Sequence, residues 1–156
     1  MDYAVLENSV KQEEFHTVRH GFDLGQHRFL VPELTFAELT SAEGICSIPD
    51  TPEWFCGFLN HRGDTVPVYD LAKLLGTELN TVHNQRWVLL IDEQPETIGV
   101  LVDQSPQAMV DPVVSDDVSH LPEIASQFVT GHWLAGGELW SEFDHRKFFS
   151  ELRKFF

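Results

Sequence analysis

The sequence has no apolar run longer than the five residues Trp87 to Ile91, far short of the roughly 20 that a bilayer-spanning helix needs. Direct membrane insertion is therefore not expected. Basic residues are scarce as well: 10 Lys and Arg stand against 25 Asp and Glu, a formal charge of -15. Nucleic acid is bound through clustered cations, and anionic membrane surfaces attract basic segments. Both are excluded as partners, which leaves proteins. Cysteine is rare too. Cys46 and Cys56 form no CxxC pair, and in a cytoplasmic chain they are expected as free, mostly buried thiols. The opening MDYAVLENSV lacks a basic stretch followed by an apolar one, so export is not expected.

Signatures of catalysis are also missing. None of the eight histidines forms HxH or HExxH, the spacings that let neighbouring side chains share a metal. GxSxG and glycine-rich phosphate loops are absent, which removes the common routes to an activated serine or a bound nucleotide. No metal and no cofactor are expected. The one constellation left for an enzyme, a small metal-dependent hydrolase, would centre on His61, Asp64 and Asp70.

The residues that are present, 42% apolar and 12% aromatic, make a globular composition. A chain of 156 residues forms one domain or two small subdomains sharing a core, burying about 68–70% of its unfolded surface. The sequence repeats itself. EWFCGFLNHRGDTVPVYDLAKLL from Glu53 aligns without a gap to QFVTGHWLAGGELWSEFDHRKFF from Gln127. Gly57 meets Gly131, Gly63 meets Gly137, Asp64 meets Glu138, Tyr69 meets Phe143 and Asp70 meets Asp144. Each unit opens on two short strand candidates around a turn, GFDL with RFLV and RWVLLI with IGVLV.

Short Val, Ile, Leu and Phe runs broken by Gly, Pro, Asn and Asp predict a mainly β protein with tight turns. Asp70 and Asp144 are suited to N-cap LAKLL and HRKFFSELRKFF. In the second segment Phe148, Phe149, Leu152, Phe155 and Phe156 fall on one helical face and are expected to pack on the domain. Residues 1–20 read as an N-terminal arm, 21–156 as the folded domain, with the boundary between its two units near 76–86.

Arg62-Gly63-Asp64 is read as a turn and not as an adhesion motif. Gly63 permits positive φ, and Asn60 and Asp64 suit its flanks. Gly136-Gly137 is read as a second hairpin turn. Arg62 is left on a tip between strands, and arginine is enriched among interface hot spots.

At these residues the chain resembles the CheW-like domains of bacterial chemotaxis. The resemblance runs through LTFAEL, IPDTPEWFCGFLNHRG, DTVPVYDLAKLLG and IGVLVDQ, and covers about Gly21 to Phe149. It implies two small five-stranded SH3-like β-barrels packed around a shared apolar core, with short helices including a C-terminal one. It also implies a non-enzymatic cytoplasmic adaptor between the cytoplasmic hairpin tip of a methyl-accepting chemoreceptor and the regulatory domain of a CheA-type histidine kinase. A modulator or decoy that inhibits the kinase on the same fold is the alternative. Carried over by position, the receptor-facing residues are Phe36, Glu38, Gly57 and Arg62; kinase contacts stay unassigned. His61, Phe36 and Trp140-Ser141-Glu142 depart from the family's usual aliphatic residues, a looser style that resembles the variants serving type IV pilus twitching systems.

Overall fold

A computed structural model describes residues 18–77, 79, 86–118 and 120–155. The expected arm lies outside the described residues as far as residue 17, and its last three residues belong to the fold: Val18–Leu24 is strand β1. The chain continues through β2 (His27–Leu30), β3 (Ala37–Ser41), β4 (Phe55–His61) and β5 (Asp64–Tyr69) into helix α1 (Leu71–Leu74). The second half runs β6 (Trp87–Ile91), β7 (Ile98–Val102), β8 (Gln107–Val110), β9 (Val113–Ser115), α2 (Glu123–Ser126), β10 (Val129–Ala135), β11 (Glu138–Phe143), α3 (His145–Leu152) and a 3-10 turn at Arg153–Phe155.

Two sheets form, ordered β3-β6-β7-β5-β4 and β8-β1-β2-β11-β10-β9. The second has six strands, not five. Its extra strand arises because Asp111 takes a positive φ of 50° and Pro112 has no N–H to donate. The segment breaks there, and its halves pair with opposite edges, β8 with β1 and β9 with β10. Two residues thus link the two edges, so the sheet rolls up on itself. The five-stranded sheet closes the same way, with a smaller second half: β3 pairs with β6, and Cys46, just downstream, bridges to Phe58 of β4.

The offset of the sequence repeat recurs in the ladders. Phe55 pairs with Tyr69 and Gly57 with Val68 across a bulge; Val129 pairs with Phe143 and Gly131 with Glu142 across the equivalent bulge. Asp70 N–H donates to the Trp54 carbonyl at 2.7 Å, and Asp144 N–H to the Phe128 carbonyl at 2.8 Å. Each aspartate caps its helix, accepting from the N–H of Lys73 or Lys147 at 3.1 Å.

The linker near 76–86 separates the repeats but not the sheets. Hairpin β1–β2 of the first unit joins β11 of the second, and hairpin β6–β7 of the second joins β5 of the first, both through parallel contacts. This exchange explains why one apolar core serves both barrels. Phe22, Leu24 and Phe29 share a cluster with Val66, Val68, Tyr69 and the fully buried β7. Helix α3 seals it with Phe148, Phe149 and Leu152. Rings run in contact from one sheet to the other: Phe29–Phe143 at 5.1 Å, Phe143–Phe148 at 5.7 Å, Phe148–Phe149 at 5.3 Å and Phe149–Tyr69 at 4.8 Å. Of the expected apolar face, Phe148, Phe149 and Leu152 are buried on α3; Phe155 falls in the 3-10 turn that follows, and Phe156 lies outside the described residues.

Trp140-Ser141-Glu142, where an aliphatic run was expected, builds a second, smaller core. Trp140 packs with Leu30 and Met109. Glu142 pairs with buried Arg19 at 2.9 Å and accepts from Trp133 Nε1 at 3.0 Å, while the Arg19 guanidinium lies 5.0 Å from the Trp133 ring. A buried cation is tolerated only when paired and hydrogen-bonded, and the Val31 carbonyl supplies a further acceptor at 3.0 Å.

Candidate functional site

The β4–β5 hairpin turns in two residues between the paired His61 and Asp64. Arg62 (φ 52°) and Gly63 (φ 86°) are both left-handed, the geometry of a type I′ turn, which matches the twist of the strands. Asn60 Oδ1 accepts from the Gly63 N–H at 3.2 Å. The equivalent turn of the second unit is made by Gly136 (φ 59°) and Gly137 (φ 77°), residues that adopt this shape without cost. Arg62 therefore stands where glycine would be easier, at about 1–2 kcal/mol of strain.

Barrel closure brings the Arg62 tip to β3 from the opposite edge of the sheet. The Arg62 guanidinium donates to Glu38 Oε1 at 2.8 Å, and His61 Nε2 lies 3.5 Å from Glu38 Oε2. Half-exposed Phe36 stands beside them. Together with Asp64, Leu90 and the 92–97 loop these residues surround a concavity of about 180 Å³. Three of the four residues carried over from sequence, Phe36, Glu38 and Arg62, thus share one site.

Gly57 does not join them. It is buried on β4 with φ 129°, and a Cβ there would sit 2.0 Å from the Cys46 carbonyl oxygen. Its role is to let the Cys46 strand reach Phe58, which closes the barrel. Gly131, its partner in the repeat, lies in β10 beside the bulge and not in a turn; a Cβ there would meet only Trp133 Nε1, at 3.7 Å. Gly57→Ala should accordingly cost about 2 kcal/mol through strain and overlap, whereas Gly131→Ala should stay within about 0.5 kcal/mol. Urea unfolding of the two variants side by side checks the asymmetry.

The hydrolase constellation is not assembled. His61 and Asp64 flank the hairpin tip, but Asp70 caps α1 at the far end of β5, about 20 Å away at the usual rise of a strand. Nor are the thiols as expected: Cys46 is exposed and Cys56 half-buried. Burial pushes the Cys56 thiol up to about 11, so it stays protonated at neutral pH and is a poor nucleophile. Among the described residues no group of three or more His, Cys, Asp or Glu is placed to hold a metal ion, and no helix is long and apolar enough to cross a membrane.

Sequence reasoning missed Asp92. It lies in the polar DEQPET that joins RWVLLI to IGVLV, takes φ 75° and is almost completely buried. Its carboxylate receives Arg146 through two bonds, Nε and Nη2 each at 2.8 Å, and contacts His145 Nε2. The Arg146 hydrogen bonds hold the Asp92 carboxyl below its usual range despite burial, with His145 adding to the effect. Partners 53 and 54 residues away leave no local signal. A second depression, an apolar groove of about 410 Å³, lies elsewhere on the five-stranded sheet between Ile48, Phe55, Phe58 and Tyr69, with Arg153 on its rim.

The profile of the CheW-like domain matches residues 20–153. The chain belongs to the CheW-like domain family. It is 32% identical to the protein PilI of Pseudomonas aeruginosa over 84 residues, 54% of this chain and 47% of PilI; the match thus spans about half of that relative. It is 25% identical to the chemotaxis protein CheW of Helicobacter pylori over 118 residues, 74% of this chain and 70% of that protein. The scaffolding protein TtCheW of Thermoanaerobacter tengcongensis shares the CheW fold with a TM-score of 0.65 at 20% identity, covering 83% of this chain and 90% of TtCheW. CheW-family proteins are non-enzymatic scaffolds.

Proposed function

We propose that this CheW-like chain is a cytoplasmic adaptor that couples the hairpin tip of a methyl-accepting chemoreceptor to the regulatory domain of a CheA-type histidine kinase. The receptor tip docks in the concavity, where Phe36 offers an apolar face and Glu38 and Arg62 offer paired polar anchors, the mixture found in protein interfaces. Gly57 supports this surface from beneath by closing the barrel. The likeness to PilI favours a type IV pilus twitching pathway over flagellar chemotaxis. The single observation that carries the reading is Arg62, held left-handed at an exposed hairpin tip where the sister unit uses glycine.

Arg62→Gly separates folding from function. Relief of the turn strain offsets the loss of the exposed pair with Glu38, so stability should stay within about 0.5 kcal/mol of the parent. Receptor binding should weaken by about 2 kcal/mol, roughly thirtyfold, if Arg62 is a hot spot. Binding to the kinase regulatory domain, on another surface, should change by less than about twofold. Calorimetric titration against receptor and kinase fragments separately reads both. Equal loss of both partners would make Arg62 structural; unchanged receptor binding would remove it from the interface.

A further inference from the structure

The wall of the concavity that faces Arg62 is the loop joining β6 to β7, and one residue ties it down on three sides. The Asp92 N–H donates to the Phe36 carbonyl at 2.8 Å, and its own carbonyl accepts from the Thr97 hydroxyl at 2.9 Å. Its carboxylate takes the Arg146 fork and His145 from the first turn of α3. Asp92 thereby joins the start of β3, where Phe36 and Glu38 stand, to the floor of the loop and to the C-terminal helix α3. The far end of α3 leads into Arg153, which lines the apolar groove together with Tyr69. An eight-residue helix is about 12 Å long, so α3 is a strut between the two depressions.

We propose that Asp92 is a positioning residue for the partner that enters the concavity. It holds Phe36 and the 92–97 wall in place by hooking both to α3, so the partner meets a preformed site. This rests on the receptor reading above. A preformed site spares the partner the cost of ordering it, and by linkage an occupied site strengthens the seating of α3 by the same factor.

The test uses the whole chain, at a temperature where every variant is folded. Receptor hairpin fragment and kinase regulatory domain are titrated separately into the parent, Asp92→Asn and Arg146→Gln. Arg146 lies outside the concavity, so its removal loosens the hook without touching the partner's contacts. Receptor affinity should fall about tenfold in Asp92→Asn and about threefold in Arg146→Gln, with kinase affinity within about twofold, since lost preorganisation is felt only at the site that was held. Receptor affinity within about twofold of the parent in both variants overturns the proposal.

Hydrogen exchange without any partner supplies the second reading. In Arg146→Gln the amide of Asp92 and those of Ala37 and Glu38 should exchange faster together with the first turn of α3. Should the parent fail to bind the receptor fragment at all, the receptor reading falls, and exchange alone decides on the hook. Faster exchange at Asp92 and Glu38 sustains it, and exchange confined to α3 overturns it.

Discussion

Phe149→Ala should destabilise the protein by about 3–5 kcal/mol, the range for emptying a buried phenylalanine site. Phe149 is 2% exposed and stands at the one link where the chain of rings passes from α3 to Tyr69 of the five-stranded sheet. Its neighbour Phe148 faces the other way, onto Phe143 of the six-stranded sheet. Removing the Phe149 ring therefore uncouples α3 from one barrel and leaves a cavity at the seam between the two. The loss should appear in urea unfolding as a lower midpoint with an unchanged slope, because the same surface is still exposed on unfolding. An unaltered midpoint would mean that the helix is not packed as described and that its apolar face serves a partner.

Asp92→Ala should cost about 3 kcal/mol at neutral pH, since it removes three bonds to a charged acceptor and strands His145 Nε2 in a buried site. The effect must fade in acid. An unfolded aspartate titrates near about 3.9, and the folded carboxyl lies lower because Arg146 and His145 favour its charged form. A depressed folded value contributes stability that is full above the unfolded value and is lost as the pH falls through the folded one. The gap between parent and variant should thus narrow as the pH falls below about 4. A gap that kept widening below about pH 4 would contradict the assignment of the charge to Asp92.

Much of this was legible in the chain. The gapless repeat anticipated paired ladders, paired caps and paired hairpin turns, because each depends on local chemistry: an aspartate before an apolar turn, glycine where φ is positive. The exchange of hairpins between sheets was not legible, since RFLV and IGVLV carry the same alternation whichever edge they join. The sixth strand escaped for a similar reason, its break depending on how Asp111-Pro112 bends relative to two distant edges. At the site, position alone brought Phe36, Glu38 and Arg62 together. Gly57 was carried along with them, and the structure places it apart, its backbone close against Cys46. Asp92 could not be found from sequence, as its partners His145 and Arg146 lie 53 and 54 residues further along the chain.

The most direct test of the adaptor claim is size-exclusion chromatography with light scattering on three components: this chain, a receptor hairpin fragment and the kinase regulatory domain. The two partners should enter one complex only when the chain is present, and Arg62→Gly should release the receptor fragment while the kinase domain stays bound. If the two partners instead displace each other from the chain, they share one surface, and the reading of this protein as a bridge between them is wrong.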